Sequence, residues 1–181
     1  MPLTTLAKVK QFGQIDSVED DLLLTRMIDS ATAEIESYCS RSFASAARAE
    51  VRDGTGTRRL SMRHFPITAV ASLTINGQVI APRPTPTAYG YTFDDYQIRL
   101  TGYVFEEGVD NVEVVYTAGL ATISEDLQQA CAELVVTRYK ARDRIGVSSK
   151  SLAGESISFV VQEFPDSVIG VLDRYRMVIS P

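Results

Sequence analysis

The sequence has no tryptophan, one histidine, two cysteines and no long apolar run in 181 residues. Each scarcity narrows the chemistry open to the chain. A nucleophile–histidine pair or triad would have to use His64, which stands directly before Phe65-Pro66, and no Gly-x-Ser-x-Gly elbow exists. Without a partner motif, His64 reads as a polar residue at a strand edge. One histidine and two well-separated cysteines, Cys39 and Cys131, come close to excluding a zinc set. The lack of tryptophan removes a common sugar-stacking surface. No segment approaches the ~18 apolar residues of a spanning helix. The opening MPLTTLAKVKQFG has no apolar stretch of the signal-peptide kind, so a soluble protein, cytoplasmic when made, is expected.

What is present is ordinary globular material. Hydrophobic residues make up 45% and charged residues 23%, and a chain of this length buries roughly 70% of its unfolded surface. The net charge of -5 argues against general nucleic-acid binding, which needs clustered Lys and Arg. Cys39 and Cys131 fall in helical patterns and read as small buried hydrophobes, as suits a reducing compartment.

Along the chain, Thr4 or Thr5 can cap a short helix through Leu6, Val9 and Phe12 that Gly13 stops. Asp16 or Ser17 can cap a longer helix with Leu24, Ile28, Ala31 and Ile35 on one face, ending near Ser40. Segments 45–53 and 58–62 flank Asp53-Gly54-Thr55-Gly56 and predict a β-hairpin. Ile67 to Ile75 predicts a strand that turns at Asn76-Gly77 and returns through Val79 and Ile80. Pro82, Pro84 and Pro86 open a Tyr-rich loop to about Asp95, followed by strands at 97–101 and 112–116. Ser124 caps a third helix, with Glu125 and Asp126 in its first turn, running to about Arg142. Residues 142–154 are charged, small and flexible in character. A short extended run, Ile157 to Val161, follows, and Pro165-Asp166-Ser167 opens a last helix carrying Val168, Leu172 and Tyr175. The order is helices, strands, helices. This predicts an α+β fold, with helices at the N-terminus and after residue 123 packed on a small antiparallel sheet, an extended C-terminal arm and a short final helix. The expected division is a core at 1–142 and a partner-docking part at 143–181.

The chemistry-bearing patterns are few. Asp16, Glu19, Asp20 and Asp21 lack calcium-loop spacing and suit a helix start. The glycines of Asp53-Gly54-Thr55-Gly56 lie between strands, which is not where a phosphate cradle forms. No cofactor or metal is expected. The basic run Arg138, Lys140, Arg142, Arg144, Lys150 is either a solvated helix end or a contact with another subunit or with DNA phosphates.

Asp20 to Leu24, then Ile28, Ala31 and Ile35-Glu36-Ser37-Tyr38-Cys39-Ser40-Arg41-Ser42-Phe43, resembles the first long helix of bacteriophage head–tail connector (adaptor) proteins of long-tailed phages. Asp53 to Gly56 with Leu60 and Pro66-Ile67, Val114 to Gly119, Ser124 to Leu127, and Arg142 to Val147 with Ser149 to Leu152 extend the likeness over nearly the whole chain. Loop 82–94 matches nothing in that family.

The resemblance implies a non-enzymatic virion protein of the neck, present in the host cytoplasm during assembly. It implies a ring of about twelve subunits between a portal protein and a tail-side neck or tail-completion protein, with genomic DNA passing through and no membrane partner. On this reading, portal or subunit contacts are expected from Arg142, Arg144, Lys150, Ile157, Phe159, Val161, Val168, Leu172 and Tyr175. Tyr89, Tyr91, Phe93 and Tyr96 are candidates for the subunit interface or for covering the domain's own sheet. The alternatives are a tail-completion or neck protein with another docking partner, a small metal-dependent hydrolase or nuclease, and a DNA-binding regulator using 138–150.

Overall fold

Apolar residues at helical spacing and alternating residues in the middle of the chain sort into separate elements. The computed structural model describes residues 1–142, 149–152, 155–158 and 164–177, the segments 149–152 and 155–158 by backbone alone. These form two units: Met1–Arg41 with the residues from Ile123 onward, and Ser42–Thr122. The fold is α+β, and among the described residues no helix is long and apolar enough to cross a membrane.

The first unit is built on α3 (Glu125–Ala141), which packs against α1 (Leu6–Gly13), α2 (Asp21–Tyr38) and α4 (Asp166–Leu172). Thr5 caps α1 by accepting from the Lys8 amide at 3.3 Å. The helix closes on Gln14, whose φ of 54° is left-handed, and not on Gly13. Gly13 serves a different purpose. A Cβ there would lie 2.9 Å from Ile15 Cδ1 and 3.0 Å from Val136 Cγ2, so its bare backbone lets α1 approach α3. Asp20 occupies the position before α2, four residues later than Asp16; Ser17 instead accepts from the Glu19 amide at 3.2 Å in the preceding turn. Leu24, Ile28, Ala31 and Ile35 of α2 are buried, as are Leu127, Cys131, Leu134 and Val135 of α3 and Val168 and Leu172 of α4. Full burial of each large aliphatic contributes about 1.5–3 kcal/mol.

Two short strands follow α3 in the chain before α4. Ser149–Leu152 (designated β8) and Glu155–Ser158 (β9) pair antiparallel, Ser149 opposite Ser158 and Leu152 opposite Glu155. Ile157 is therefore in a two-stranded ribbon. Arg144, Phe159 and Val161 lie outside the described residues.

The second unit holds β1 (Ala46–Gly54), β2 (Arg59–Ser61), β3 (Ile67–Ile75), β4 (Gln78–Val79), β5 (Gly90–Phe93), β6 (Gln97–Thr101) and β7 (Gly108–Ala118). One sheet runs β1-β7-β3-β4 and the other β2-β6-β5. Their inner faces share one core that includes Leu60, Leu73, Ile98, Leu100, Val114 and Tyr116. Asn76 and Gly77, at φ 50° and 77°, make the expected two-residue turn between β3 and β4.

Two expectations are corrected here. The segments around Asp53–Gly56 do not pair with each other: β1 pairs with β7, and β2 pairs with β6 in the other sheet. The physical reason is the side chain of Asn111. Its Oδ1 accepts from the Gly54 amide at 2.7 Å, and its Nδ2 donates to Glu106 O at 2.9 Å and to Asn76 Oδ1 at 3.0 Å. This knot ties the end of β1 to the start of β7, and the chain then crosses to the second sheet. The Pro/Tyr-rich stretch is also more ordered than a loop, because Gly90–Phe93 is the strand β5.

At the free edge of the larger sheet, β1 turns Arg48, Glu50 and Arg52 toward the inner side. Glu50 accepts from the Tyr116 hydroxyl and lies 3.3 Å from Arg52 Nη1. Charges pointing inward at an edge strand discourage unplanned strand addition.

Candidate assembly surfaces

Burial shifts the pKa of His64 and of both cysteines. His64 is half-buried, its backbone amide donates to the Tyr116 hydroxyl at 3.3 Å, and burial with nearby Arg48 lowers its pKa. Burial pushes the Cys39 thiol up to about 11, and its Sγ sits 3.7 Å from Leu172 O. Burial likewise raises Cys131 to about 11. Neither thiol supplies thiolate near neutrality. Among the described residues no group of three or more His, Cys, Asp or Glu is placed to hold a metal.

Two members of the basic run, Arg138 and Arg142, are engaged inside their own unit. Arg138 grips Glu34 with two bonds, Nη1 to Oε1 at 2.7 Å and Nη2 to Oε2 at 2.5 Å. The hydrogen bond from Arg138 draws the Glu34 pKa below its ordinary value. Arg142 stacks 3.9 Å over the Tyr139 ring and reaches Asp20 Oδ2 at 3.4 Å. These two guanidiniums fasten the C-terminal half of α3 to α2, so the candidate contact Arg142 already has partners at home.

The last helix is also committed. Val168 and Leu172 are fully buried, and their side chains fill the first unit's own core. Tyr175 places its hydroxyl 2.8 Å from Asp126 Oδ1 and 2.8 Å from Ser124 Oγ. Phe164, which no local pattern singles out, is buried and lies 5.3 Å from the Tyr38 ring.

The four aromatic candidates do not form one patch. Tyr91 is 5% exposed and donates to Val70 O at 3.2 Å, so it belongs to the core. Tyr89 is 71% exposed and meets Tyr103 edge-on at 6.2 Å. It covers Gly102, where a Cβ would come within 2.5 Å of its ring. Phe93 and Tyr96 sit at the other end of the β5–β6 hairpin, with Tyr96 packed 5.2 Å from Phe65. Beside Tyr89 an open cleft of about 470 Å³ is lined by Arg58, Ile80, Tyr103, Val104 and Glu106.

The outward faces of the two sheets differ in charge. Arg59 of β2 stands directly opposite Arg99 of β6, and both are exposed. Arg99 is ion-paired with Asp94, whose pKa falls to about 2 as the amides of Tyr96 and Gln97 donate to it. On the larger sheet, Ala47, Ala49, Val51 and Val115 form a smooth outward surface that also bears Glu113. This pair of unlike surfaces depends on which strands pair, so no local sequence pattern carries it.

The described residues thus form a helical unit and a two-sheet unit with broad exposed faces. The chain belongs to the head completion protein family, whose pattern matches residues 2–178. That membership makes it a structural protein of the head–tail connection. The fold is similar to a chain in the neck of an empty gene transfer agent (GTA) particle computed with C6 symmetry. That match has 19% identity and a TM-score of 0.63, and covers 99% of this chain and 92% of that one. A chain in the virion of a native gene transfer agent particle agrees at 18% identity and TM-score 0.62, over 99% and 92%. One in the neck of the native GTA particle computed with C12 symmetry agrees at 19% and 0.59, over 97% and 90%. No curated protein matches the sequence.

Proposed function

We propose that this chain is a subunit of a closed ring in the virion neck, docked on the portal on one side and receiving a tail-side neck or tail-completion protein on the other. The family match over residues 2–178 carries this reading. Support comes from the agreement in fold with neck chains of particles treated with sixfold and twelvefold symmetry. The role is structural, not enzymatic, and the ring is assembled in the host cytoplasm before it becomes part of the particle.

A ring wall must let DNA pass without holding it. The net charge of -5 suits that task, since a surface that bound phosphate tightly would retain the genome. Residues 143–163, with Lys150 and Ile157 in the ribbon, are the segment we assign to the portal, leaving α4 in the helical core.

Native mass spectrometry of the chain alone and with its portal tests the reading. A discrete ring-sized species in either sample is expected. Removal of 143–163, with a short linker to α4, should abolish portal association while the helical signal is kept. A chain that stays monomeric and ignores the portal would overturn the proposal.

A further inference from the structure

The sheet unit carries two unlike surfaces on opposite sides of one body. On the smaller sheet, Arg59 and Arg99 are cross-strand partners. Arg83 joins them on that face, donating to Thr101 Oγ1 and to Pro86 O, each at 3.0 Å. Only one carboxylate, Asp94, is ion-paired to any of the three, and Arg59 has no ion pair among the described residues. Like charges placed directly opposite across a strand pair destabilise a sheet. The fold alone gains nothing from Arg59 where an acid or a neutral residue would serve better.

The larger sheet's outward face has the reverse character. Its outward positions hold the carboxylates Asp53 and Glu113 and no cation among the described residues. Around Glu113 the side chains are short: Ala47 and Ala49 on β1, with Val51 opposite Glu113 itself. Short side chains of this kind let another backbone approach closely and leave Glu113 within reach of an incoming guanidinium. The two faces are the outer sides of sheets that share a core, so they point away from each other.

Resting on the ring reading above, we infer that the Arg59/Arg99 face of one copy docks on the Glu113 face of the next. A closed ring needs two different patches on each subunit that fit each other head to tail. A symmetric pairing of like faces would set Arg59 against a second Arg59 and is disfavoured. Arginine is also the charged residue most at home in interface centres. The arginine face could in principle take DNA phosphates, and the test separates that outcome.

Two single variants and their mixture decide the matter, read by native mass spectrometry with and without the portal and by thermal unfolding. Arg59→Glu replaces a like-charge pair with an opposite-charge pair opposite Arg99, so its melting temperature should equal or exceed that of the wild type. The same variant should need at least about tenfold more protein to assemble, because the introduced carboxylate then confronts Glu113 of the next copy. Glu113→Arg should assemble equally poorly, because the introduced guanidinium then confronts Arg59 of the next copy. An equimolar mixture should restore rings with an even number of subunits in alternation. Wild-type-like assembly of Arg59→Glu alone, or a mixture that stays dispersed, would overturn the contact and leave the ring reading standing. Intact rings of Arg59→Glu that have lost retention of short duplex DNA would reassign the face to nucleic acid. A wild type that stays monomeric even on the portal would overturn the ring reading, and the contact with it.

Discussion

The Tyr38 hydroxyl donates to Oδ1 of Asp173 at 2.8 Å, joining the last turn of α2 to the residue that follows α4. The Met177 amide donates to Cys39 O at 3.0 Å, Ser167 Oγ to Glu133 at 2.5 Å, and Arg176 lies 5.3 Å over the Tyr38 ring. Leu172 is fully buried beneath these bonds. The last helix is therefore held by a core plug and a polar rim together. Leu172→Ala should destabilise the chain by about 2–5 kcal/mol, because the space it leaves cannot fully collapse. Tyr38→Phe, which removes one partly solvated bond, should cost about 1 kcal/mol. Urea unfolding followed by far-ultraviolet circular dichroism measures both, and equal effects would contradict this division of labour.

The same region supplies a chemical reporter. Cys39 lies under α4 with its thiol raised to about 11 by burial, and Cys131 is buried in α3 with a similar value. Both should resist a thiol reagent at pH 8 until the chain is unfolded. In Leu172→Ala, Cys39 should become reactive well before Cys131, as α4 loosens first. Mass mapping of the labelled cysteine reads the order.

The ion pair between Arg138 and Glu34 predicts an acid-sensitive contribution to stability. The hydrogen bond from Arg138 lowers the folded Glu34 pKa below its unfolded value near 4.5. A carboxylate with a depressed folded pKa contributes stability above its unfolded pKa and loses it as pH falls through the folded one. Wild-type unfolding midpoints should fall between about pH 5 and pH 3 more steeply than those of Glu34→Gln. Both residues are about one-third exposed, with side-chain values of 31% and 34%, so salt should reduce the difference.

Local signals made the helices and the Asn76-Gly77 turn readable, because caps, i/i+4 spacing and a turn needing two left-handed residues act within a few positions. The buried faces of α2 and α3 follow from Leu24, Ile28, Leu127 and Leu134 in the sequence. What was missed depends on distant pairing. Asp53-Gly54-Thr55-Gly56 has the composition of a hairpin turn, yet Asn111 recruits Gly54 to β7 from 57 residues away. Tyr91 is core because it lies inside the strand Gly90–Phe93, whereas Tyr89 precedes that strand and stays exposed; the neighbouring prolines hid the strand. The opposition of Arg59 and Arg99 exists only in the register of β2 and β6 and leaves no trace in one-dimensional spacing.

The Asn111 knot gives the sharpest test of how the sheets are divided. Its side chain satisfies the Gly54 amide and the Glu106 carbonyl, and Asn76 Nδ2 closes the ring by donating to Glu106 Oε2 at 2.5 Å. Asn111→Ala leaves two backbone groups in need of water and should cost about 1–3 kcal/mol. Gly54→Ala should cost more, because the added Cβ would stand 1.7 Å from Glu106 O, a backbone atom that cannot swing aside. If β1 instead paired with β2 through the Asp53–Gly56 turn, Gly54 would be free of Glu106 and both substitutions would be mild. Thermal unfolding of the two variants, with amide exchange at Gly54 and Val112 as the local readout, distinguishes the arrangements. Loss of protection at both sites in Asn111→Ala is the expected result.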